Sequence, residues 1–366
     1  MLEFPCMKRP YFTQCIAVDN GDYIWIKASM GVEEPNITME ERLGSDTNPA
    51  KPLQRIGLFK NQRFTIKIQG RDGNHTKIYD KDVETDKLGN MMIKIPSFHH
   101  KSRITRLQFF ECSMLDGFQL LIDSIIPFKI KHPVKIIISD FDKTLVDTKY
   151  SSPREMYHSL SKPLSYFPTV SGSLEKIKDH IKDGFQPFIL SASPHFYEKP
   201  IRDWLYHEKI FTSNIFLKDY RDVLSWFSGE LSPKDIKKQG FYKLDALVDI
   251  LEFSTLPDEL VLMGDGFEAD AVIYLALRSI LIEKRDPWQV WNHIRKHESF
   301  KLTIKQNFTF LQRLNKLASA AKKKSEMKLS IHIRCRSQEM VDQVLKTPLS
   351  PEFFEAQKKH VNYYIA

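Results

Sequence analysis

Residues 134–144 read VKIIISDFDKT, a run of strand-forming residues that ends in two aspartates, Asp140 and Asp142, with Thr144 two positions further on. A short apolar run of this kind is typical of a strand that is covered on both faces, as in a parallel sheet. Carboxylates are costly to bury there unless a partner compensates them, and Mg²⁺ together with a phosphate group is a frequent partner. In open α/β sheets, ligands bind at the carboxyl ends of the strands. The stretch therefore predicts a ligand site where the first parallel strand ends.

The composition is that of a soluble globular protein with room for two domains, since 42% of the 366 residues are hydrophobic. No segment approaches the roughly 18 consecutive apolar residues of a membrane span, and the first residues lack the apolar core of a signal peptide. A cytoplasmic protein is therefore expected. The net charge of +8 favours polyanionic partners. Peripheral contact with an anionic membrane surface is expected on this ground, whereas nucleic acid is not, because no zinc finger or RNA-binding signature accompanies the charge.

The pattern along the chain changes near residue 130. Residues 1–130 carry short β-rich runs separated by turn signals such as Asn-Gly and Asp-Gly, which predicts an all-β domain built as a sandwich or barrel. In residues 131–366 strands alternate with helices, which predicts a Rossmann-like α/β domain with a parallel sheet and helices on both faces. A basic helical stretch at about 281–325 is interpreted as an insertion before the last strand. The expected strands are 134–139, 187–190, 214–217, 259–263 and 328–333, and the clearest helices are 173–183 and 242–252.

Chemically suited residues recur at the predicted strand ends. Asp140 and Asp142 end the first strand, Ser191 ends the second, and Asp265 ends a later one, while Lys243 lies at the start of a helix. A parallel sheet brings the carboxyl ends of its strands to one edge. These separated pieces are therefore expected to form one site.

Each of these residue types has a role in phosphoryl transfer through an aspartyl-phosphate. Asp140 is the predicted nucleophile and also a ligand of Mg²⁺, which offsets the repulsion between a carboxylate and the substrate phosphate. Asp142 is the predicted acid that protonates the leaving group and then activates water. Ser191 is expected to hydrogen-bond a phosphoryl oxygen, and Lys243 to neutralise charge that develops in transfer. Asp265 supplies a second carboxylate to the metal.

Further candidates surround this set. Asp270 is expected to orient the waters of the metal or Lys243. Glu268 is a candidate for the same task, and a solvent-facing position is an equally good alternative for it. The complete set of candidate metal ligands is Asp140, Asp142, Asp265 and Asp270, and the candidate substrate-binding residues are Thr144, Ser193, Lys218 and Arg221.

The motifs resemble those of the haloacid dehalogenase-like phosphatase superfamily. DxDxT at Asp140–Thr144, a serine after the second strand, a downstream lysine and the GDxxxxD motif at Gly264–Asp270 match it in order and in strand context. The resemblance implies a Mg²⁺-dependent phosphomonoester hydrolase.

A narrower resemblance is to the actin-patch-associated phosphatidate phosphatase family. Its VSNSP-like motif, its GDSGExDPEIY motif, its TDxxGxF turn and its IYIR strand have counterparts in Leu190–Pro194, Gly264–Tyr274, Thr85–Met91 and Ile331–Arg334. The chain departs from the family at Ala192, at Gly266-Phe267 and at Ala271-Val272, none of which removes a candidate catalytic or metal-binding group. The resemblance covers most of residues 80–280 and resumes at 328–335. It implies hydrolysis of phosphatidate to diacylglycerol and phosphate.

Two alternatives remain open from the sequence. The first is the same hydrolysis of another phosphomonoester, such as a phosphoprotein, a nucleic-acid end or a metabolite. The second is a catalytically silent module in which the N-terminal β-region and the basic helices bind a membrane or a protein. The intact set of acids argues against the silent module.

Overall fold

The computed structural model of the chain describes residues 9–33, 63–112, 120–148, 164–219, 239–296, 298–300, 304–346 and 359–366, together with Leu302. Up to residue 129, the elements within these ranges are strands: β1 (Arg9–Asp19), β2 (Tyr23–Glu33), β3 (Thr65–Arg71), β4 (Lys77–Glu84), β5 (Asn90–Pro96), β6 (Phe98–His99), β7 (Ser102–Arg103), β8 (Arg106–Glu111), β9 (Leu120–Ile125) and β10 (Phe128–Lys129).

From residue 135 onward, strands and helices alternate. The elements are β11 (Lys135–Asp140), α1 (Ser171–Lys182), β12 (Gln186–Pro194), α2 (Glu198–His207), β13 (Ile215–Lys218), α3 (Gln239–Ser254), β14 (Glu259–Asp265), α4 (Asp270–Leu281), α5 (Pro287–Ile294), α6 (Ile304–Lys323), β15 (Lys328–Cys335), α7 (Gln338–Lys346) and β16 (Val361–Ile365). The chain is thus a mixed α/β protein, as predicted.

Six strands form an all-parallel sheet in the order β13–β12–β11–β14–β15–β16. Each of the five predicted strands overlaps one of these. The expectation that the strand near 328 is the last one is wrong, because β16 pairs with β15 beyond it. Val361 is the one buried residue among the five of β16. The strand is therefore recognised by its pairing with β15 and not by an apolar run. Sequence periodicity gives little signal for such an edge strand.

Both faces of the parallel sheet are covered by helices. Successive residues of a strand point to opposite faces, so the residues of β11 pack against helices on both sides. Ile136 and Ile138 of β11 lie in one buried cluster with α3, α4, α5 and α6. Ile137, between them, lies in a second cluster with α1 and α2. The predicted helical stretch at about 281–325 contains α5 and α6. They pack into the first cluster through Trp291, Phe310 and Leu314, so this stretch contributes to the core.

The N-terminal strands form two four-stranded sheets, β10–β1–β2–β5 and β4–β3–β8–β9, and the pair β6–β7. Apart from the short parallel pairing of β10 with β1, neighbouring strands in these sheets are antiparallel. The inner faces of the two larger sheets share one buried cluster, which includes Ala17 and Phe109. Ile16 and Val18 point the other way and join the core beneath the parallel sheet. β1 therefore contributes to both cores.

Helix α3 packs directly against the N-terminal strands. The rings of Trp25 and Phe253 stack at 5.1 Å with an interplanar angle of 14°. The Lys27 ammonium lies 2.5 Å from the carboxylate of Asp249, which is buried. Asn20 donates a 3.0 Å hydrogen bond to the carbonyl of Phe253. The N-terminal sheet is thus fixed against the helix that also carries Lys243.

The turn at Thr85–Met91 reaches the carboxyl edge of the parallel sheet. Asp86 Oδ1 accepts hydrogen bonds from the backbone N–H groups of Leu88 and Asn90, both at 2.8 Å. Gly89 has a positive φ of 79°, and a Cβ there would lie 2.9 Å from the carbonyl oxygen of Met30. A glycine is therefore required at this position. Asn90 in turn donates a 2.9 Å hydrogen bond to Asp219, directly after β13.

The Trp25→Ala substitution tests the contact between β2 and α3. Removing the stacked ring is expected to lower the free energy of unfolding by about 2 kcal/mol, measured by urea denaturation. Met92→Ala is the control, because Met92 is a large side chain that is 46% exposed, and a change within about 0.5 kcal/mol is expected there. Equal effects of the two substitutions would contradict the structural role of this contact.

Candidate active site

The carboxylates of Asp140 and Asp265 meet because their strands are neighbours. Asp140 is the last residue of β11 and Asp265 is the last residue of β14, and the two strands pair in parallel. Both side chains are almost completely buried, at 1% and 0% exposure. The predicted convergence of these two acids at one sheet edge is therefore observed.

Thr144 and Lys243 hold the two oxygens of Asp140. The Thr144 hydroxyl donates a 3.1 Å hydrogen bond to Oδ2. The Lys243 ammonium lies 3.0 Å from Oδ1. Burial raises the pKa of Asp140 well above its usual range, and the Lys243 ammonium opposes that shift. The carboxylate thus depends on nearby positive charge to remain ionised.

The Lys243 ammonium is shared by three acids, of which Asp140 and Asp270 are buried and Glu268 is partly exposed. Besides Asp140, it lies 2.9 Å from Glu268 Oε2 and 2.7 Å from Asp270 Oδ1. Burial alone would lower the pKa of Lys243, but Asp140, Asp270 and Glu268 together hold it well above its usual range. The lysine is therefore charged, and it neutralises part of an acid-rich site.

The loop after β14 is built around the carboxylate of Asp265. Its Oδ1 accepts hydrogen bonds from the backbone N–H groups of Phe267 at 2.6 Å and Glu268 at 3.0 Å. Its own N–H donates to Asp270 Oδ2 at 3.1 Å, which joins the strand end to the first turn of α4. Any side chain at Gly264 would collide with Asp270, because the nearest Asp270 carbon would lie 2.7 Å from the new Cβ. The GDxxxxD spacing thus reflects a close packing of strand end and helix start.

Asp140, Asp265 and Asp270 form a group that could hold a metal ion. One carboxylate oxygen from each lies within 4.8 Å of the others. Opposite ligands of Mg²⁺ in octahedral coordination are about 4.2 Å apart, so the group has a suitable size. Within the described part of the chain, Asp265 Oδ2 is a buried oxygen that accepts no hydrogen bond, and buried Asp140 Oδ1 has the Lys243 ammonium as its charged neighbour at 3.0 Å. Burial, together with Glu268 and Asp270, raises the pKa of Asp265 to about 8. Such a set of hard, crowded oxygens fits a divalent cation.

Asp142 lies in a separate hydrogen-bonded arrangement. Ser191 and Ser193 donate from their hydroxyls to its Oδ2, at 2.7 and 2.9 Å. Thr148 donates to Oδ1 at 3.3 Å. Burial raises the pKa of Asp142, and the two serine hydroxyls act in the opposite direction. The structure thus pairs Ser191 and Ser193 with Asp142, and the phosphate-binding roles of the two serines stay predictions. The Asp142 carboxylate lies outside the group of three acids, and its role as a metal ligand also stays a prediction.

Lys218 and Arg221 are the remaining candidates for substrate binding. Lys218 is buried at the carboxyl end of β13, two strands from Asp140, and its substrate-binding role stays a prediction. Arg221 lies outside the described residues. Sequence reasoning gave Lys143 no role, although its ammonium lies 3.3 Å from Glu268 Oε1. Lys143 and Lys243 together hold the pKa of Glu268 below its usual value despite burial, which places Glu268 in the charged network. The position of Lys143 inside the DxDxT motif is the sequence feature that could have indicated its place in the site.

A protein-family model matches the part of the chain that holds this site. Residues 135–281 match the family model described as phosphatidate phosphatase APP1, catalytic domain. This segment resembles the catalytic domain of that family. The match confirms the predicted resemblance, and it indicates an enzyme of the phosphatidate phosphatase type, a phosphoric monoester hydrolase. It includes every described candidate residue of the site, from Asp140 to Asp270. The turn at Thr85–Met91 and the strand at Ile331–Arg334 lie outside it.

No curated protein matches the chain. Among solved structures, a calcium-binding mutant of Bacteroides uniformis beta-glucuronidase 2 is 10% identical with a TM-score of 0.26, and 97% of this chain is aligned to 36% of that one. Bifidobacterium dentium beta-glucuronidase is 7% identical with a TM-score of 0.28, with coverages of 97% and 53%. The chain thus spans between about a third and about half of the length of these enzymes. No helix in the described ranges has the length and apolar character needed to cross a membrane.

The Lys243→Met substitution tests the charge balance of the site. It leaves the buried carboxylates of Asp140 and Asp270 without their shared cation, so the free energy of unfolding is expected to fall by about 3–5 kcal/mol. Denaturant unfolding followed by circular dichroism measures this. Lys182→Met is the control, because its ion pair with Asp179 is exposed, and the unfolding midpoint should not change. An equally small effect of Lys243→Met would contradict the proposed electrostatic dependence.

Proposed function

We propose that the chain is a Mg²⁺-dependent phosphatidate phosphatase that works through an aspartyl-phosphate on Asp140. The observation that carries the proposal is the arrangement of Asp140, Asp265 and Lys243 at one sheet edge, inside a segment that matches a phosphatidate phosphatase catalytic domain. We further propose that residues 131–366 form a haloacid dehalogenase-like domain with a Rossmann-like sheet, preceded by an all-β domain. The order of the parallel strands and the position of the acids support this reading.

Asp140 is suited to nucleophilic attack on phosphorus. Thr144 and Lys243 fix its carboxylate orientation from two sides, so little reorganisation is needed before attack. The Lys243 ammonium also favours the ionised form, which is the nucleophilic one. In the proposed reaction an Asp140 oxygen bonds to the phosphorus of the ester, and the bond from phosphorus to the diacylglycerol oxygen breaks.

Mg²⁺ is the proposed cofactor, held by Asp140 and Asp265. Bound there, it supplies positive charge that lets the carboxylate and the phosphoryl group approach each other. The buried Asp265 Oδ2, which accepts no hydrogen bond, supports the assignment, as does its grouping with carboxylate oxygens of Asp140 and Asp270. Asp270 already receives Lys243 and the Asp265 N–H, so we assign it the task of positioning those two groups.

Asp142 is the proposed acid and base. Its pKa is raised by burial, which favours the protonated form that must donate to the leaving alkoxide. Once it has given up that proton, the carboxylate accepts one from the water that attacks the aspartyl-phosphate. Phosphate leaves and Asp140 is regenerated. Ser191 and Ser193 hold the Asp142 side chain in place for both steps.

Asp140→Asn tests the nucleophile. The amide cannot form an acyl phosphate, so turnover of phosphatidate in mixed micelles is expected to fall by a factor on the order of 10³ or more with the fold intact. Asp179→Asn, an exposed position, is the control and should retain full turnover. Retained activity in Asp140→Asn would remove Asp140 from this role.

The substrate class is tested by a panel of phosphate esters. Phosphatidate, p-nitrophenyl phosphate, phosphopeptides and phosphorylated nucleic-acid ends are offered with and without Mg²⁺, and phosphate release is measured. Phosphatidate is expected to be hydrolysed best, and only with the cation. Turnover of soluble esters alone would favour a non-lipid substrate, and no turnover of any ester would favour the silent binding module.

Mg²⁺ binding is tested without catalysis by thermal unfolding. The cation competes with a proton for Asp265, whose pKa is about 8. Binding therefore strengthens as the pH rises through that value, and the stabilisation by Mg²⁺ should be larger at about pH 8.5 than at about pH 6.5. Asp265→Asn should abolish the stabilisation at both values. Equal stabilisation of the wild-type protein and this variant would contradict the assigned site.

A further inference from the structure

Helix α6 runs alongside α3 in the same direction. The ring of Phe310 packs edge-on against Phe241, near the start of α3, at 5.1 Å. Three residues later, Arg313 pairs with acids further along α3, at 3.0 Å with Glu252 and at 2.5 Å with Asp249. The two helices are therefore in register from the level of Phe241 onward.

The first turn of α6 extends past the start of α3. Ile304 begins α6 six residues before Phe310, which corresponds to about 9 Å at 1.5 Å per residue. Phe241 is only two residues from the start of α3. Lys243, on the next turn of α3, reaches the candidate active site. The start of α6 thus projects on the side of the molecule where the site lies.

Two large apolar side chains on this projection are exposed. Ile304 is 91% exposed and Phe308, four residues later, is 64% exposed. Residues four apart lie on the same face of a helix. Further along, the helix buries Phe310, Leu314 and Leu317, so its apolar residues face the core there. The pair at the start of α6 has no such place in the core.

The surroundings of this pair are strongly basic. Within residues 287–324 there are nine Lys or Arg residues and a single acid, Glu298, and α6 itself has no acid. Arg295, Lys296, Lys305 and Lys316 are exposed. Exposed apolar side chains next to lysines are the pattern of a helix that sits in the headgroup layer of an anionic bilayer.

We propose that the start of α6 is a membrane-docking element, in which Ile304 and Phe308 enter the headgroup layer and the neighbouring basic residues bind anionic lipid. This deepens the proposed function and rests on it for its purpose, because docking at this edge would bring the active site to the phosphate of a membrane lipid. A second protein chain is a poorer occupant. Two side chains bury about 300 Å², well below the roughly 800 Å² per partner of a stable interface.

Flotation of the full chain with vesicles tests the proposal. Phosphatidylcholine vesicles with and without phosphatidylserine are used, because phosphatidylserine is anionic and is not the proposed substrate. Wild-type protein is expected to float with the anionic vesicles, less so at high salt, and Ile304→Ser/Phe308→Ser should reduce the bound fraction about tenfold or more. Ile126→Ser/Phe211→Ser is the matched control, since those residues are 68% and 65% exposed and Phe211 lies before β13, towards the opposite sheet edge.

Hydrolysis of p-nitrophenyl phosphate is measured on the same variants. Unchanged hydrolysis of this soluble ester together with lost vesicle binding supports docking. Equal vesicle binding by wild-type protein and Ile304→Ser/Phe308→Ser overturns the docking proposal, as does greater loss in the control. A wild-type dimer that Ile304→Ser/Phe308→Ser converts to a monomer in light scattering also overturns it, because a second copy would then cover the pair. Failure of wild-type protein to hydrolyse any ester would instead count against the proposed function.

Discussion

The ammonium group of Lys243 is the charge on which the site depends. Asp140, Asp265 and Asp270 are each fully or almost fully buried, and Glu268 lies beside them. Carboxylates that are crowded into a low-dielectric site repel one another, and without nearby positive charge they would take up protons. Lys243 contacts three of them and Lys143 also pairs with Glu268, but one oxygen of Asp265 accepts no hydrogen bond. This remaining deficit of positive charge is the physical reason to expect a divalent cation.

The rest of the fold keeps that lysine in place. Lys243 is carried by α3, which packs on the parallel sheet on one side and against the N-terminal strands through Trp25 and Lys27. Arg313 of α6 binds a row of acids on the same helix. The N-terminal strands and the basic helix α6 therefore both contact the element that carries Lys243. This gives both regions a structural role whatever partners they also bind.

Much of this arrangement follows from the sequence alone. The apolar run before Asp140 predicts a buried parallel strand, and the acids at the ends of β11 and β14 converge because adjacent parallel strands end at one edge. The sequence does not predict the partners of the side chains. For example, the hydrogen bond from the Ser191 hydroxyl to Asp142 is not apparent from the sequence, and the phosphate-binding role of Ser191 stays a prediction. The ion pair between Lys143 and Glu268 joins residues 125 positions apart, and β16 is an edge strand with one buried residue. Such features depend on long-range packing, which the local periodicity of a sequence does not reveal.

The central claim is that Asp140 and Asp265 share one divalent cation beside Lys243. A crystal structure of the full chain grown with Mn²⁺, with the ion located by its anomalous scattering, tests it most directly. One ion is expected, bonded to a carboxylate oxygen of Asp140 and to one of Asp265, at about 2 Å. An ion bound elsewhere, or two carboxylates that remain apart with no ion between them, would contradict it.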